Sequence, residues 1–394
     1  MNKKVKAISL MLSALLSASA AFSLVGCKDE KENDVVNFFP IVALAQTNGD
    51  LVYQPTLDGT PSEKVEIPLL SGDIYTVCKE YEKFITDDYN KEWGDCYAPT
   101  PLTISWTSEE TPEYYTLEIS TNEDMSDAES YVTFDNQVTL SYLFMGYDYY
   151  YRIYANYEDR IIKSRIFEFS TEYLPRTVYV DEAVTNTRDW GGYYTADGNR
   201  VKQGIVYRGG KMDSITEEGK RVMLQNLGIK TDLDTRGDGE YQAGVSPLGD
   251  TVKYVETKGP YYAGSYGVGI DKLEYRDGLC EEIRVFADED NFPIYVHCSL
   301  GRDRTGTICF LINALLGVGE EDLYRDYELS MMSRTGKDER GAEHMVGGAF
   351  KALYDFLANS NKNKTLQENA EAFMLYIGIT QDEIDSIKEN MLEK

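Results

Sequence analysis

Residues 292–316 read Phe-Pro-Ile-Tyr-Val-His-Cys-Ser-Leu-Gly-Arg-Asp-Arg-Thr-Gly-Thr-Ile-Cys-Phe-Leu-Ile-Asn-Ala-Leu-Leu. Phe292 to Val296 is a short apolar run with the character of a buried strand. Residues 304–316 are apolar nearly all round, which predicts a deeply buried helix. The loop between them, His297-Cys298-Ser299-Leu300-Gly301-Arg302-Asp303, therefore joins a buried strand to the N-terminus of a buried helix. In that setting consecutive backbone N–H groups and the positive end of a helix converge on an anion. Cys298 stands at the start of the loop, where the helix dipole and the Arg304 guanidinium favour its thiolate. Arg304 follows six positions later, so a curled loop can aim its planar fork at two oxygens of a bound oxyanion.

Outward from this stretch the pattern alternates. Val201 to Arg208 and Ile229 to Asp234 read as strands; Thr216 to Leu227, closed by Gly228, and Lys272 to Ala287 read as helices, with further helical pattern over 320–330 and 365–392. Residues 174–394 are thus expected to form an α/β domain with a central sheet flanked by helices. Residues 96–173 read differently. Leu102, Ile104 and Trp106 alternate with polar residues, as do Tyr115, Leu117 and Ile119, and Tyr149, Tyr151, Ile153 and Ala155, which predicts an all-β sandwich. The segment Leu143 to Tyr149 and the position of Trp106 resemble the tyrosine corner and strand tryptophan of fibronectin type III domains. Residues 38–95 hold short apolar runs broken by turn residues and stay unassigned beyond being β-rich.

The N-terminus reads as an address. Three lysines in Met1 to Lys6 precede an apolar stretch ending Leu24-Val25-Gly26-Cys27, which resembles the lipobox of bacterial lipoproteins. The resemblance implies a signal peptide over 1–26, a lipid-bearing Cys27 as first mature residue, an acidic spacer over 27–37, and an extracytoplasmic, membrane-anchored protein; an uncleaved transmembrane anchor is the other reading. Cleavage would remove three lysines and no acid, taking the net charge from -28 to -31. Such a field excludes a broad nucleic-acid-binding face, so an anionic ligand must be held by a local concentration of arginine and backbone N–H. Export permits disulfides, with Cys78 and Cys96 a pair that could close one. Two histidines in 394 residues leave little from which to build a histidine metal site; His344 reads as a surface residue, and no metal or cofactor is expected.

The loop matches the H-C-x5-R-T-G signature of cysteine-dependent phosphatases at His297, Cys298, Arg304, Thr305 and Gly306. Three upstream landmarks, Asn186-Thr187-Arg188-Asp189-Trp190-Gly191-Gly192, Tyr207-Arg208-Gly209-Gly210 and Asp234-Thr235-Arg236 running to Glu240, resemble those of a bacterial tyrosine phosphatase family with secreted mycobacterial members. Arg302 stands where that family carries lysine, and Gly209 where it carries serine. The resemblance implies Cys298 as nucleophile, Arg304 and the backbone of Ser299, Leu300, Gly301, Arg302 and Asp303 as phosphate ligands, and Asp303 as general acid, ahead of an aspartate from 241–275. His297, Thr305, Asp234, Arg236 and Arg208, with Asp189, are expected to support the loop, as a buried polar network or as part of the substrate rim. Gly264 to Gly269 reads as a loop over the site, and Cys309, one helix away, as too distant to protect Cys298 through a disulfide.

Three readings follow: a lipid-anchored phosphotyrosine phosphatase, a phosphoinositide or inositol-phosphate phosphatase for which Arg302 would meet a second phosphate, and a phospho-ligand reader without turnover. Partners are a phosphotyrosyl protein or other phosphomonoester, and the membrane through Cys27; the sandwich is left open to a protein or glycan ligand.

Overall fold

The computed structural model describes residues 101–393 apart from 109, 172–175, 238–243, 265–268 and 334–347, together with a short hairpin of β1 (Thr56–Leu57) and β2 (Thr60–Pro61). The expected export signal, Cys27, the expected spacer, most of 38–95, Cys78, Cys96, Glu240 and His344 lie outside the described residues.

Val206–Gly209 (β11), Thr231–Asp234 (β12) and Ile294–His297 (β14) are buried at every position, which is why none shows an inside–outside alternation. They lie parallel with Lys253–Glu256 (β13), whose exposed ends mark a sheet edge. Arg188–Asp189 (β10) closes the other edge antiparallel, giving the order β10-β11-β14-β12-β13. Asp303–Leu316 (α3) is the helical centre of the core: Thr305 to Leu316 are all buried, and a left-handed Gly317 (φ 89°) ends it. Arg276–Val285 (α2), Glu320–Glu328 (α4), Ala349–Ala358 (α5), Leu366–Ile377 (α6) and Gln381–Met391 (α7) surround it. Thr365 and Thr380 start α6 and α7 with reciprocal capping boxes to Glu368 and Glu383. Glu217–Arg221 (α1), capped by Thr216, runs on as a π-helical turn over Val222–Asn226.

Residues 102–170 form two antiparallel sheets: Leu102–Ser105 (β3) with Gln137–Leu140 (β6), and Glu129–Thr133 (β5), Tyr114–Ser120 (β4), Asp148–Asn156 (β7) and Ile161–Lys163 (β8), with Phe167–Ser170 (β9) also on β7. They share one cluster around Trp106, Leu117 and Ile153, with Trp106 edge-on to Tyr115 at 5.2 Å. The Phe144 N–H donates to the Tyr149 hydroxyl at 2.7 Å. This bond closes a corner in the chain between Leu143 and Tyr149.

That corner docks onto the α/β sheet. Gln203 pairs with both backbone groups of Met145, at 2.9 Å and 2.8 Å. Arg200 donates to the Met145 and Gly146 carbonyls while lying over the Tyr147 ring. The expected strand from Val201 to Arg208 is accordingly shortened. Val201 makes an isolated bridge to Leu392, and the chain turns through Gly204, whose φ is 79°. The Phe144 ring packs against Gly204 too closely for a Cβ. Elsewhere the outcome differs in detail. A 3-10 turn, Leu273–Tyr275, replaces the start of the 272–287 helix, and Gly378 splits 365–392 in two. β13 and α5 were not foreseen.

Arg176 is the central cation of this junction. It pairs with Asp189, donates to the Tyr142 carbonyl at 2.6 Å, and lies between the Phe144 and Tyr207 rings. Arg176→Met should leave Asp189 buried without its cation and lower unfolding stability by about 3–5 kcal/mol. Urea denaturation checks this, and adding Asp189→Asn should recover part of the loss.

Candidate active site

The parallel sheet brings three chain crossings to one edge. In register, Gly209 and Asp234 flank His297, so Gly210, Thr235 and Cys298 all emerge at the carboxyl ends of adjacent strands, where open α/β sheets bind ligands. The 298–302 loop curls there before α3 begins at Asp303. Gly301 has a left-handed φ of 69°, and any Cβ on it would collide with the Gly209 carbonyl. Gly209 has its own reason: a Cβ would collide with the Tyr295 hydroxyl, which donates to the Gly210 carbonyl at 2.7 Å. Glycine in place of the family's serine is thus matched by the neighbouring tyrosine.

Buried donors hold the outward-turned carbonyls of the loop. Asn186 Nδ2 donates to Leu300 (3.0 Å) and Gly301 (3.1 Å), and Arg208 donates to Gly301 at 2.8 Å. Arg188 fixes the Asn186 amide at 2.6 Å, and Asp326 of α4 receives both Arg188 and Arg208. Asn186 itself adopts a φ of 60°. Such a strained conformation is sustained where the side chain is held by the loop it supports. Two arginines on one carboxylate leave local positive charge beneath the loop. Burial and the Arg208 charge accordingly push the Arg188 pKa down.

Cys298 is 4% exposed. Burial penalises its thiolate, but the Thr305 hydroxyl and N–H and the Leu300 N–H outweigh that and bring its pKa below the usual thiol value. Among the described residues the Thr305 hydroxyl has no other hydrogen-bond partner, leaving it available to the sulfur. Arg304, expected together with the helix dipole to favour the thiolate, directs Nη1 to the Arg236 carbonyl at 3.3 Å. Beneath the cysteine, fully buried His297 lies 2.9 Å from Asp232 and 4.0 Å from Asp234; burial opposes its charge, yet Asp232 holds its pKa above the ordinary value. Asp234 also grips Arg236, whose other face takes Asp213 at 2.8 and 2.9 Å. Asp189 does not join this network and serves the Arg176 junction instead.

Asp303, in the first turn of α3, accepts hydrogen bonds from Arg302 Nε (3.3 Å) and from the Tyr262 hydroxyl, which also contacts the Tyr327 hydroxyl. Arg302 is only 1% exposed and lies along Asp303, so its side chain is part of the wall rather than an open subsite for a second phosphate. Tyr262 is 2% exposed with φ 60°, and its N–H donates to Thr307 of α3 at 3.0 Å. Only part of the Gly264 to Gly269 loop is described; its base is pinned by Ile270 N–H to the Tyr262 carbonyl at 2.8 Å. Glu282 of α2, wholly buried, accepts from Thr257 at 2.8 Å; burial, and then the nearby Cys298, push its pKa up to about 8. Cys309 is buried among apolar side chains and its thiol is pushed up to about 12.

The sequence-derived residues Cys298, Asp303, Arg304, Thr305, His297, Arg208, Asp234 and Arg236 are therefore brought together. Sequence reasoning missed Asp326, Tyr262, Tyr327 and Glu282, which carry no local pattern, and it quoted Asn186 and Arg188 only as landmarks. Among the described residues no group of three or more His, Cys, Asp or Glu side chains is placed to hold a metal. No helix among them is long and apolar enough to cross a membrane.

A family model described as "tyrosine phosphatase family" matches residues 181–393. A putative tyrosine-protein phosphatase of Cupriavidus necator is 26% identical over 187 residues, covering 42% of this chain and 67% of that protein. Among solved structures, the core catalytic domain of the PP-IP phosphatase SIW14 from S. cerevisiae, in complex with citrate, aligns with TM-score 0.27 and 15% identity over 44% of this chain and 93% of that one. A second structure of the Siw14 catalytic core gives TM-score 0.26 and 13% identity, over 44% and 92%.

Two substitutions probe this geometry. Tyr262→Phe removes a donor to Asp303 and should lower kcat about 10-fold, more for a poor leaving group such as phenol than for p-nitrophenol, with KM unchanged. A loss independent of the leaving group would show that Tyr262 only supports the fold. Glu282 has a folded pKa above its unfolded one, so its contribution to stability is full below about pH 4.5 and is lost as pH rises towards 8. Glu282→Gln should remove up to about 1.4 kcal/mol per pH unit of stability change within that window, read from unfolding curves at successive pH values.

Proposed function

We propose that this chain, which belongs to the tyrosine phosphatase family, cleaves phosphate monoesters through a cysteinyl-phosphate intermediate and prefers a phosphorylated inositol or similar small polyphosphate. Family membership makes it a cysteine-dependent phosphatase. The observation that carries the mechanism is the buried Cys298, its thiolate favoured by Thr305 and Leu300, at the floor of a loop that opens helix α3. In the first step the Cys298 sulfur forms a bond to phosphorus as the ester P–O bond breaks, and Asp303 gives its proton to the departing oxygen. Arg304 leaves the Arg236 carbonyl to meet the equatorial oxygens beside the loop amides. Water then attacks phosphorus, Asp303 takes its proton, and the S–P bond breaks to release inorganic phosphate and the thiolate.

The substrate class rests on two lysines flanking the loop. The Lys211 N–H donates to the Ser299 carbonyl at 3.4 Å, with its exposed side chain in an ion pair with Asp213 at 3.3 Å, and exposed Lys258 pairs through its backbone with Arg236. A substrate carrying phosphates beyond the reacting one can meet both. The overall charge of -28 opposes a polyanion only at range. Salt screens exposed charges beyond about 8 Å, while the lysines act at contact. The second reading, phosphotyrosine, is supported by the family's description and by the name of the Cupriavidus relative.

The same proposal places the enzyme outside the cytoplasm, held by lipid on Cys27. It is supported by the basic start, apolar stretch and Leu-Val-Gly-Cys ending. It also treats residues 96–173 as a fibronectin type III-like module that presents the phosphatase or a protein or glycan ligand, supported by Trp106 and the Tyr149 corner.

Phosphate release from inositol hexakisphosphate and from a phosphotyrosyl peptide, by the full chain and by Cys298→Ser, tests the reading. The parent should turn over the inositol phosphate with the higher kcat/KM and Cys298→Ser should turn over neither. Lys211→Glu with Lys258→Glu should cut inositol phosphate turnover about 10-fold, equivalent to about 1.4 kcal/mol, while sparing p-nitrophenyl phosphate. Preference for the peptide, untouched by the lysine changes, would install the phosphotyrosine reading; binding without turnover by the parent would replace both with a phospho-ligand reader.

A further inference from the structure

Glu282 of α2 is 1% exposed, yet among the described residues it forms no ion pair, and its carboxyl accepts the Thr257 hydroxyl at 2.8 Å. A carboxyl buried without a paired cation keeps its proton, because burying the bare charge costs more. Its place in the fold gives that proton a consequence. α2 presses on the chain leaving β13: a Cβ on Gly259 would collide with the Glu282 carboxyl and crowd Thr235, and one on Gly278 would collide with the Lys258 carbonyl. The Gly259 N–H donates to the Thr235 carbonyl at 3.2 Å. Thr235 in turn donates its N–H and its hydroxyl to the His297 carbonyl, at 2.9 and 3.0 Å. The carboxyl is thus one strand end away from the peptide that leads into Cys298. Arg304 reaches the same strand end from α3, through the Arg236 carbonyl at 3.3 Å.

Cys298 and Arg304 act on the Glu282 charge in opposite senses, the thiolate against it and the guanidinium for it. The other charges around it are Glu281 on its own helix, the exposed Lys258, and Arg236, which is paired with Asp234 and Asp213. We propose that Glu282 is a positioning residue for the phosphate loop: neutral, it leaves Arg304 free to turn to the phosphate oxygens, and ionised, it holds Arg304 back and opposes both the thiolate and a bound dianion. The site then loses oxyanions in alkaline solution. The proposal rests on the cysteinyl-phosphate reading of the loop. Linkage makes the coupling reciprocal, so removing the thiolate makes Glu282 easier to ionise.

The test follows sulfate, a dianion throughout, binding calorimetrically to the full chain between about pH 6 and pH 10. The parent, Glu282→Gln and Cys298→Ser are compared. Sulfate affinity should fall about 10-fold further in the parent than in Glu282→Gln, whose amide mimics the neutral acid. In Cys298→Ser the fall should persist with its half-point at lower pH. The ratio of Glu282→Gln to parent kcat/KM for p-nitrophenyl phosphate should rise about 10-fold between pH 7 and pH 9.5, since limbs common to both cancel. A merely structural Glu282 would leave that ratio flat. An equal fall of sulfate affinity in parent and Glu282→Gln, or a half-point that Cys298→Ser leaves in place, would overturn the proposal. The second comparison keeps Glu282 itself, so it decides even if Glu282→Gln does not fold. Sulfate binding needs no turnover, so failure of the phosphatase reading would appear in the p-nitrophenyl phosphate measurement alone.

Discussion

A loop that points its N–H groups inward at an anion must turn the matching carbonyls outward, because each peptide plane carries the two on opposite sides. Here the outward side is buried protein rather than water, and a buried carbonyl without a donor is costly. The rest of the site follows from meeting that demand. Asn186 and Arg208 supply the donors to Leu300 and Gly301, Arg188 holds Asn186, and Asp326 holds both arginines. The surplus positive charge of the cluster then favours an anion on the opposite face of the loop. Removing Asp326 would therefore affect more than one ion pair: it would leave two buried guanidiniums in repulsion beneath the loop they support.

The glycines express the same constraint in steric form. Gly301 and Gly209 let two backbones touch where side chains would hold them apart, and the space a side chain on Gly209 would have taken belongs to Tyr295. Substituting either glycine would move the loop relative to Arg208 before it touched the nucleophile. Cys298 depends on this placement because its thiolate is favoured by short-range donors from Thr305 and Leu300. Hydrogen bonds of that kind are lost with displacements of about an ångström.

The nucleophile, the loop and α3 were legible in the sequence because strand, turn and buried helix are contiguous, and every group required by the signature lies between His297 and Gly306. Arg208 was legible through its resemblance to a landmark, although Asp189 of a neighbouring landmark proved to serve a different junction. What could not be read has a common cause. Asp326, Tyr262 and Glu282 act on partners 138, 41 and 25 residues away, and each sits in a segment whose local pattern speaks only of a helix or loop. β13 escaped for a different reason: Lys-Tyr-Val-Glu on an exposed edge offers neither a buried run nor a sustained alternation. The shortened strand at Val206 reflects tertiary override, since Gln203 and Gly204 are occupied by the docked corner rather than by the sheet.

That override ties the β-rich region to the chemistry through β10. Successive residues of a strand face opposite sides. Arg188 therefore reaches Asp326 beneath the phosphate loop while its neighbour Asp189 reaches Arg176, which in turn holds the Tyr142 carbonyl and the Phe144 ring of the docked corner. Asp189 also accepts the N–H groups of Gly191 and Gly204, so one buried carboxylate fixes both the turn on which the corner rests and the two-residue strand that carries Arg188. A strand of two residues has little hydrogen bonding of its own to hold its position. Its alignment comes from these side chains, and so the accuracy with which Arg188 and Asn186 meet the loop depends on a junction at the opposite face of the strand.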